Sequence, residues 1–154
     1  MAKAKKVSKR KANNKKPLAG MTYYVAASSK EVARARRVMA RIRRAGGCIV
    51  HDWTVPVMKY GANPKTATEF ERREWANECT DGIKMCDEVV ALVPEPKNYS
   101  LGLMFELGFA FGEGKLITHV DTCDGSKSSV FLAGRYTLAN DKDIVKDLIE
   151  TRFM

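Results

Sequence analysis

The sequence predicts an α/β fold in which a parallel sheet carries helices on both faces. Beyond residue 20, short runs rich in β-branched and aromatic residues alternate with stretches of helical period, the pattern of successive βαβ units. The run Glu88–Val93 (EVVALV) reads as a strand buried on both sides. Strands alternating with helices imply right-handed crossovers and a parallel sheet. At 154 residues, with 45% apolar content, the chain suits one domain and has little room for a second core.

Taken in order, residues 1–20 stand apart. They hold eight Lys or Arg and no Asp or Glu, so eight of the nine net positive charges lie there and residues 21–154 carry only +1. Such a segment cannot bury an apolar face and is expected to stay disordered until something anionic orders it. Weak, non-specific nucleic-acid contact is therefore expected of residues 1–20 alone, the alternative being a solubilising extension with no partner. Pro17 and Gly20 mark the boundary, and residues 21–154 form the folded domain.

Tyr23–Ala27 reads as the first buried strand. Ser28 or Ser29 caps the next helix, Glu31 sits in its first turn and Gly46-Gly47 ends it. Val32, Ala35, Met39 and Ile42 form its core side. Arg34, Arg36, Arg37, Arg41, Arg43 and Arg44 read as a solvated outer face rather than a nucleic-acid footprint. Cys48–His51 is the second strand, residues 52–67 a loop marked by Pro56, Gly61 and Pro64, and residues 68–85 a helix. After the strand Glu88–Val93 come an apolar helix at Leu101–Gly112, a strand at Leu116–Val120, a weaker strand near Val130–Leu132 and a last helix at Asp141–Arg152. No stretch approaches the roughly 18 apolar residues of a membrane span, and the start has no apolar run of the signal-peptide kind. Four cysteines show no CxxC pair and no His at metal spacing, which favours reduced thiols, a cytoplasmic location and no metal site. Cys79 and Cys86 lie seven residues apart on one helix face, a spacing that packing explains.

Candidate chemistry concentrates in residues 99–115, YSLGLMFELGFAFGEGK. Glu106 is a carboxylate amid Leu101, Leu103, Met104, Phe105, Leu107, Phe109 and Phe111, where burial without a partner is expensive. Either it reaches solvent or a basic residue, or it faces a ligand. Its helix starts at the C-terminal end of the strongest strand, where open α/β sheets bind ligands. Ser100 is a natural cap, and a helix N-terminus attracts phosphate. Gly102 and Gly108 permit close approach. Glu106 lies six residues past Ser100, about 9 Å along the axis, so a phosphate at the helix start and a sugar near Glu106 match a nucleotide in size.

These residues resemble the nucleoside 2-deoxyribosyltransferases and their relatives, the 2′-deoxynucleoside 5′-phosphate N-hydrolases, over about residues 23–154. The likeness rests on Tyr24-Val25-Ala26-Ala27, on Gly82-Ile83-Lys84 before Asp87, on Val89–Val93, and on Ser100-Leu101-Gly102 followed by Glu106-Leu107-Gly108 and Gly114-Lys115. It implies a flavodoxin-like three-layer sandwich with five parallel strands, assembled as a homodimer or larger, with no cofactor. It implies that Glu106 attacks the anomeric carbon to form a glycosyl-enzyme intermediate, as in retaining glycosidases, with Tyr24 orienting it. Transferases of free nucleosides tend to carry Asp at position 100 and the monophosphate hydrolases Ser, as here, so the likeness favours the hydrolase branch. Ser28 and Lys30 match a first-loop phosphate contact, although Ser28 reads equally well as a plain cap. Asp52 and Trp53, after the second strand, are candidates to hydrogen-bond and stack a base. Where the family places an Asp eight residues before Asp87, this chain has Cys79; Glu78 or Asp81 is left to substitute, neither in the expected register.

The function expected is cleavage of the N-glycosidic bond of a nucleoside monophosphate. Base exchange by a transferase and hydrolysis of NAD, as in TIR-type relatives, are the neighbouring alternatives. A non-catalytic nucleotide sensor, suggested by Cys79, and a nucleic-acid-associated protein, suggested by residues 1–20, are the readings from other classes.

Overall fold

A computed structural model describes residues 16–61, 67–95, 98, 100–121, 136–138 and 140–150. Five strands, β1 (Thr22–Ala26), β2 (Cys48–Ile49), β3 (Glu88–Val93), β4 (Leu116–Asp121) and β5 (Tyr136–Leu138), form one sheet in the order β2-β1-β3-β4-β5. Every pairing is parallel, so the flavodoxin-like sandwich expected from the sequence is the fold observed. The central strands β1 and β3 are buried almost throughout, which explains why they read as continuous apolar runs rather than alternating ones. Asp87 ties their starting ends together, accepting hydrogen bonds from the backbone amide and the hydroxyl of Thr22, both at 2.8 Å.

Helix α1 (Val32–Arg44) follows β1 through a 3₁₀ turn at Ser29–Glu31, capped by the Ser28 side chain. It buries Ala35, Val38, Met39 and Ile42, and Gly46, at φ +95°, turns the chain out of it. Helices α1 and α5 (Ile144–Glu150) pack together, as do α3 (Glu69–Met85) and α4 (Leu101–Gly112). Reversal of strand order between β2 and β3 puts the two pairs on opposite faces. Helix α3 begins with a reciprocal capping box between Thr68 and Glu71.

Several expectations are corrected. Arg34 is not part of a solvated face: its side chain is 11% exposed and pairs with Glu31 and Asp141 at 3.0 and 2.9 Å. The same guanidinium donates to the carbonyls of Val93 and Val120, at the ends of β3 and β4. Arg41 donates to the Asp141 carbonyl, and Arg43, still exposed as expected, pairs with Asp52. Within the expected loop at 52–67 lies helix α2 (Thr54–Tyr60), because Pro56 falls in its first turn, where no amide donor is needed, and Gly61 at φ +87° ends it. Pairing of β2 stops at Ile49, two residues early, although the Val50 amide still reaches the Tyr23 carbonyl at 3.1 Å. The strand expected near Val130–Leu132 lies outside the described residues, and the observed fifth strand is Tyr136–Leu138. Residues 1–15 and 151–154 also lie outside them. Among the described residues no helix is long and apolar enough to cross a membrane.

Residues 16–20, grouped with the tail by charge, form a turn on the domain. Leu18 is fully buried in the main core, and its amide donates to the Ala45 carbonyl at 2.9 Å. Leu18→Ala should therefore cost about 2–5 kcal/mol, read as a lower urea midpoint. A chain begun at Met21 should be destabilised at least as much, whereas one begun at Lys16 should keep Leu18 and its contribution.

Candidate active site

A cleft of about 240 Å³ opens at the carboxyl ends of β1, β2 and β3, beside the point where the helix after β1 and the helix after β3 leave on opposite faces. In an open parallel sheet that divergence leaves a crevice no backbone fills. Ala27 and Ser29 enter it from β1; His51, Trp53, Pro56 and Val57 from the segment after β2; Trp75 and Cys79 from α3. Ser100, Gly102, Leu103 and Glu106 enter from α4.

Glu106 is half-buried on α4, whose inner side is otherwise Leu103, Leu107 and Ala110. Burial pushes its carboxyl up to about 7, and hydrogen bonds from Tyr24 and the Cys79 thiol pull against that rise. The Tyr24 hydroxyl donates to Glu106 Oε1 at 2.6 Å, joining β1 to a residue 82 positions away. Burial, followed by the negative charge of Glu106, holds the Tyr24 phenol well above its ordinary pKa, so it remains a donor at any working pH. Its ring lies parallel to the His51 imidazole, 6.5 Å between centroids. Burial lowers the pKa of His51 against the opposing pull of Glu78 and Asp52. Near neutral pH it therefore offers one N–H and one bare nitrogen.

Gly82 makes this arrangement possible. A β-carbon there would lie 2.8 Å from His51 Cβ and 3.1 Å from Tyr24 Cδ2, so α3 can descend onto both side chains only without one. One turn earlier on α3 stands Cys79. At the other end of the cleft, the Ser100 hydroxyl oxygen accepts from the Leu103 amide at 3.1 Å and caps α4. The amides of Leu101 and Gly102 precede the first intrahelical hydrogen bond, the local geometry of an anion site. A β-carbon on Gly102 would have only the Ser100 hydroxyl near it, at 3.9 Å, so the space it leaves belongs to the cleft.

Of the residues proposed from the sequence, Glu106, Ser100, Gly102 and Trp53 line this cleft and Tyr24 reaches it through Glu106. Four others stand outside its lining. Ser28 is fully buried and accepts from the Lys30 amide at 3.3 Å, while its neighbour Ser29 lines the cleft; Lys30 is exposed. Asp52 is held by Arg43 at 2.9 Å and by the Thr54 hydroxyl, which makes it a support for α2. Asp81 is exposed on α3, 3.8 Å from Lys84. The Trp53 indole N–H is used by the Val25 carbonyl at 2.7 Å, so the ring serves as an apolar wall. Sequence reasoning gave His51 and Trp75 no place in a site and met Ser29 only as an alternative cap. Cys79 did carry a signal, since it stands where the family has an Asp. Among the described residues no three His, Cys, Asp or Glu side chains converge to hold a metal.

Residues 18–148 match the sequence profile of the family described as nucleoside 2-deoxyribosyltransferase. No curated protein matches the chain. Among solved structures, the chain is similar to the Clostridium botulinum CMP N-glycosidase BcmB, with a TM-score of 0.54 and 17% identity over 82% of this chain and 97% of that one. It is also similar to a 2-deoxyribosyltransferase from Leishmania mexicana, with a TM-score of 0.58 and 19% identity over 84% of this chain and 97% of that one. At these identities the likeness is one of fold.

The burial of Glu106 has a consequence for stability that needs no substrate. Its folded pKa is raised, so its proton-linked contribution is fully present below the unfolded value near 4.5 and is lost as pH rises through about 7. Glu106→Gln should thus raise the melting temperature at pH 8, by up to about 3 kcal/mol in stability, with the gain vanishing towards pH 4. A gain independent of pH, or a loss at pH 8, would contradict the desolvation of this carboxylate.

Proposed function

The chain belongs to the nucleoside 2-deoxyribosyltransferase family, and on that premise we propose that it cleaves the N-glycosidic bond of a (deoxy)nucleoside 5′-monophosphate through a covalent intermediate on Glu106. The observation that carries this is the desolvated carboxylate held at 2.6 Å by Tyr24 inside the strand-end cleft. Tyr24 occupies Oε1 and leaves Oε2 for the anomeric carbon. As that bond forms, the carbon–nitrogen bond breaks and its electron pair leaves with the base; water then releases the sugar phosphate and restores the carboxylate. Trp53 and Trp75 supply apolar walls against which a base can stack. Ser100 with the first amides of α4 suits the 5′-phosphate, about 9 Å from Glu106 along the helix.

A transferase differs only in the acceptor, a second base entering in place of water, and the same cleft serves it. Both chemistries occur among proteins of this fold. Hydrolysis is preferred here because position 100 is an uncharged Ser, which does not repel a phosphate.

The deciding experiment incubates the protein with nucleosides, their 5′-monophosphates and NAD, and measures released base. Monophosphates should be turned over faster than nucleosides, and Ser100→Asp should slow them selectively. Base exchange outrunning hydrolysis would assign a transferase, and release from NAD alone a glycohydrolase. Glu106→Gln should lower turnover on the order of 10³-fold or more. For the wild type, kcat/KM should rise as pH passes through about 7, where the carboxylate forms, and level off above it. Near-normal turnover in the Gln variant would overturn Glu106 as the nucleophile, and base release from none of the substrates would leave a nucleotide-binding sensor as the reading.

The same helix supports a homo-oligomer. Opposite its core side, α4 presents Leu101, Met104, Phe105 and Phe111, 91, 44, 61 and 62% exposed, with no charged residue among them. Gly108 and Gly112, one turn apart on that side, have open space where a β-carbon would stand. With side chains of about 150–250 Å², the four supply on the order of 500 Å², over half of the roughly 800 Å² per partner of a standard interface. Glycine notches beside Phe knobs complement a second copy across a two-fold axis. Sedimentation should show twice the monomer mass, and Phe111→Glu should yield monomers with unchanged helicity. A monomeric wild type at micromolar concentration would reject this interface.

A further inference from the structure

We infer that Cys79 is a positioning residue for Glu106: its thiol reaches the carboxylate from α3 while Tyr24 holds it from β1, fixing the group between two donors without adding charge to the cleft. The inference rests on the reading of Glu106 as the nucleophile. Two independent features of the fold place the thiol there. Cys79 lines the cleft beside Glu106 and also packs against the main core, so its side chain has little freedom. Gly82, one turn later, lets α3 descend onto Tyr24 and His51, so α3, β1 and α4 converge on one carboxylate. Cys79 thus faces the same cleft as Glu106, on the helix that packs against the Tyr24 ring, and its thiol bears on the charge of both groups.

The chemistry of the side chain fits this role better than that of a nucleophile. Burial pushes the thiol up to about 11, so it stays a neutral S–H donor across the working range. A thiolate would be attractive as a nucleophile; a buried thiol is inert. As a donor it favours the ionised form of Glu106, which burial alone disfavours. A carboxylate at position 79 would act the other way, setting like charge against like. The titratable groups around the pair are Tyr24 on β1, His51 beyond β2, and Glu78 and Cys79 itself on α3. Of these only the thiol changes in the variants below.

The test compares wild type with Cys79→Ser, Cys79→Ala and Cys79→Asp, each checked for native circular dichroism. Carbon-13 NMR of the side-chain carboxylates, assigned through Glu106→Gln, gives the Glu106 midpoint without any substrate. Loss of one donor to a charged group should raise that midpoint by about one pH unit in Cys79→Ala. Cys79→Ser keeps a donor and should stay near wild type, and Cys79→Asp should spread the titration into two coupled steps. In turnover, Cys79→Ala should move the acid limb of kcat/KM by the same interval. It should also lower kcat about tenfold at pH 7 with little change in KM, and Cys79→Ser should restore both. A midpoint that does not move in Cys79→Ala, or Ser and Ala variants that behave alike, would overturn the inference. Absence of turnover from every protein, with the midpoint still moving, would overturn the nucleophile reading and leave the contact standing.

Discussion

A carboxylate on an apolar helix needs a partner, and for Glu106 that partner is the Tyr24 hydroxyl at 2.6 Å. The balance at this one bond organises much of the surrounding structure. Desolvation favours the protonated acid and is the larger effect; the donors favour the anion and keep the group near 7 rather than far above it. Moving the tyrosine away would leave the desolvation in place. The phenol is in turn fixed by what touches its ring: His51 lies parallel to it and the bare backbone at Gly82 lies against it. An alanine at 82 would push into the Tyr24 ring and the His51 β-carbon, so its effect would be felt at Glu106, two contacts away. The Gly-Ile-Lys element of α3 thus has a physical reason that spacing alone does not reveal.

The opposite side of the sheet is held by charge. Arg34 gathers Glu31, Asp141 and the carbonyls of Val93 and Val120 on one guanidinium. A planar fork with five donors suits such a junction, and a lysine could not span it. Because one of those carbonyls ends β3, a strand that frames the crevice, the ion cluster holds that strand end in place. Aromatic contacts on one face and an arginine cluster on the other therefore both bear on the strand ends that frame the cleft.

What the sequence disclosed and what it hid divide along contact distance. The strands β1, β3 and β4, the cap at Ser100 and the run of α4 were legible because local pattern determines them. Glu106 was legible because a charge breaks an apolar run, and Tyr24 through the family resemblance. Arg34 was hidden among five similar arginines, since its acidic partner Asp141 lies 107 residues away. His51 read only as a strand end, and Cys79 as a packing residue, because the ring and the carboxylate they meet come from other elements. Asp52 misled for the same reason: a strand-end acid looks like a ligand contact until Arg43 is found beside it. Pro56 misled locally, because a proline marks a loop and the first turn of a helix equally well.

Helix α4 shows how these demands are reconciled in twelve residues. Its inner side fills the core, its first turn borders the cleft, one position carries a carboxylate, and its outer side has no cover among the described residues. Leu103, Leu107 and Ala110 meet the first demand. Ser100 and Gly102 meet the second with the smallest side chains that still cap the helix and leave the cleft open. Glu106 stands between the core side and the cleft, partly buried and desolvated. A polar outer face would have made α4 an ordinary amphipathic helix, and its apolar one is what a helix covered on all sides requires. The cost of that choice falls on solubility, not on folding, because the exposed side chains take no part in the core. In α4 the side chains that line the cleft and those exposed on the outer side occupy different positions of one helix.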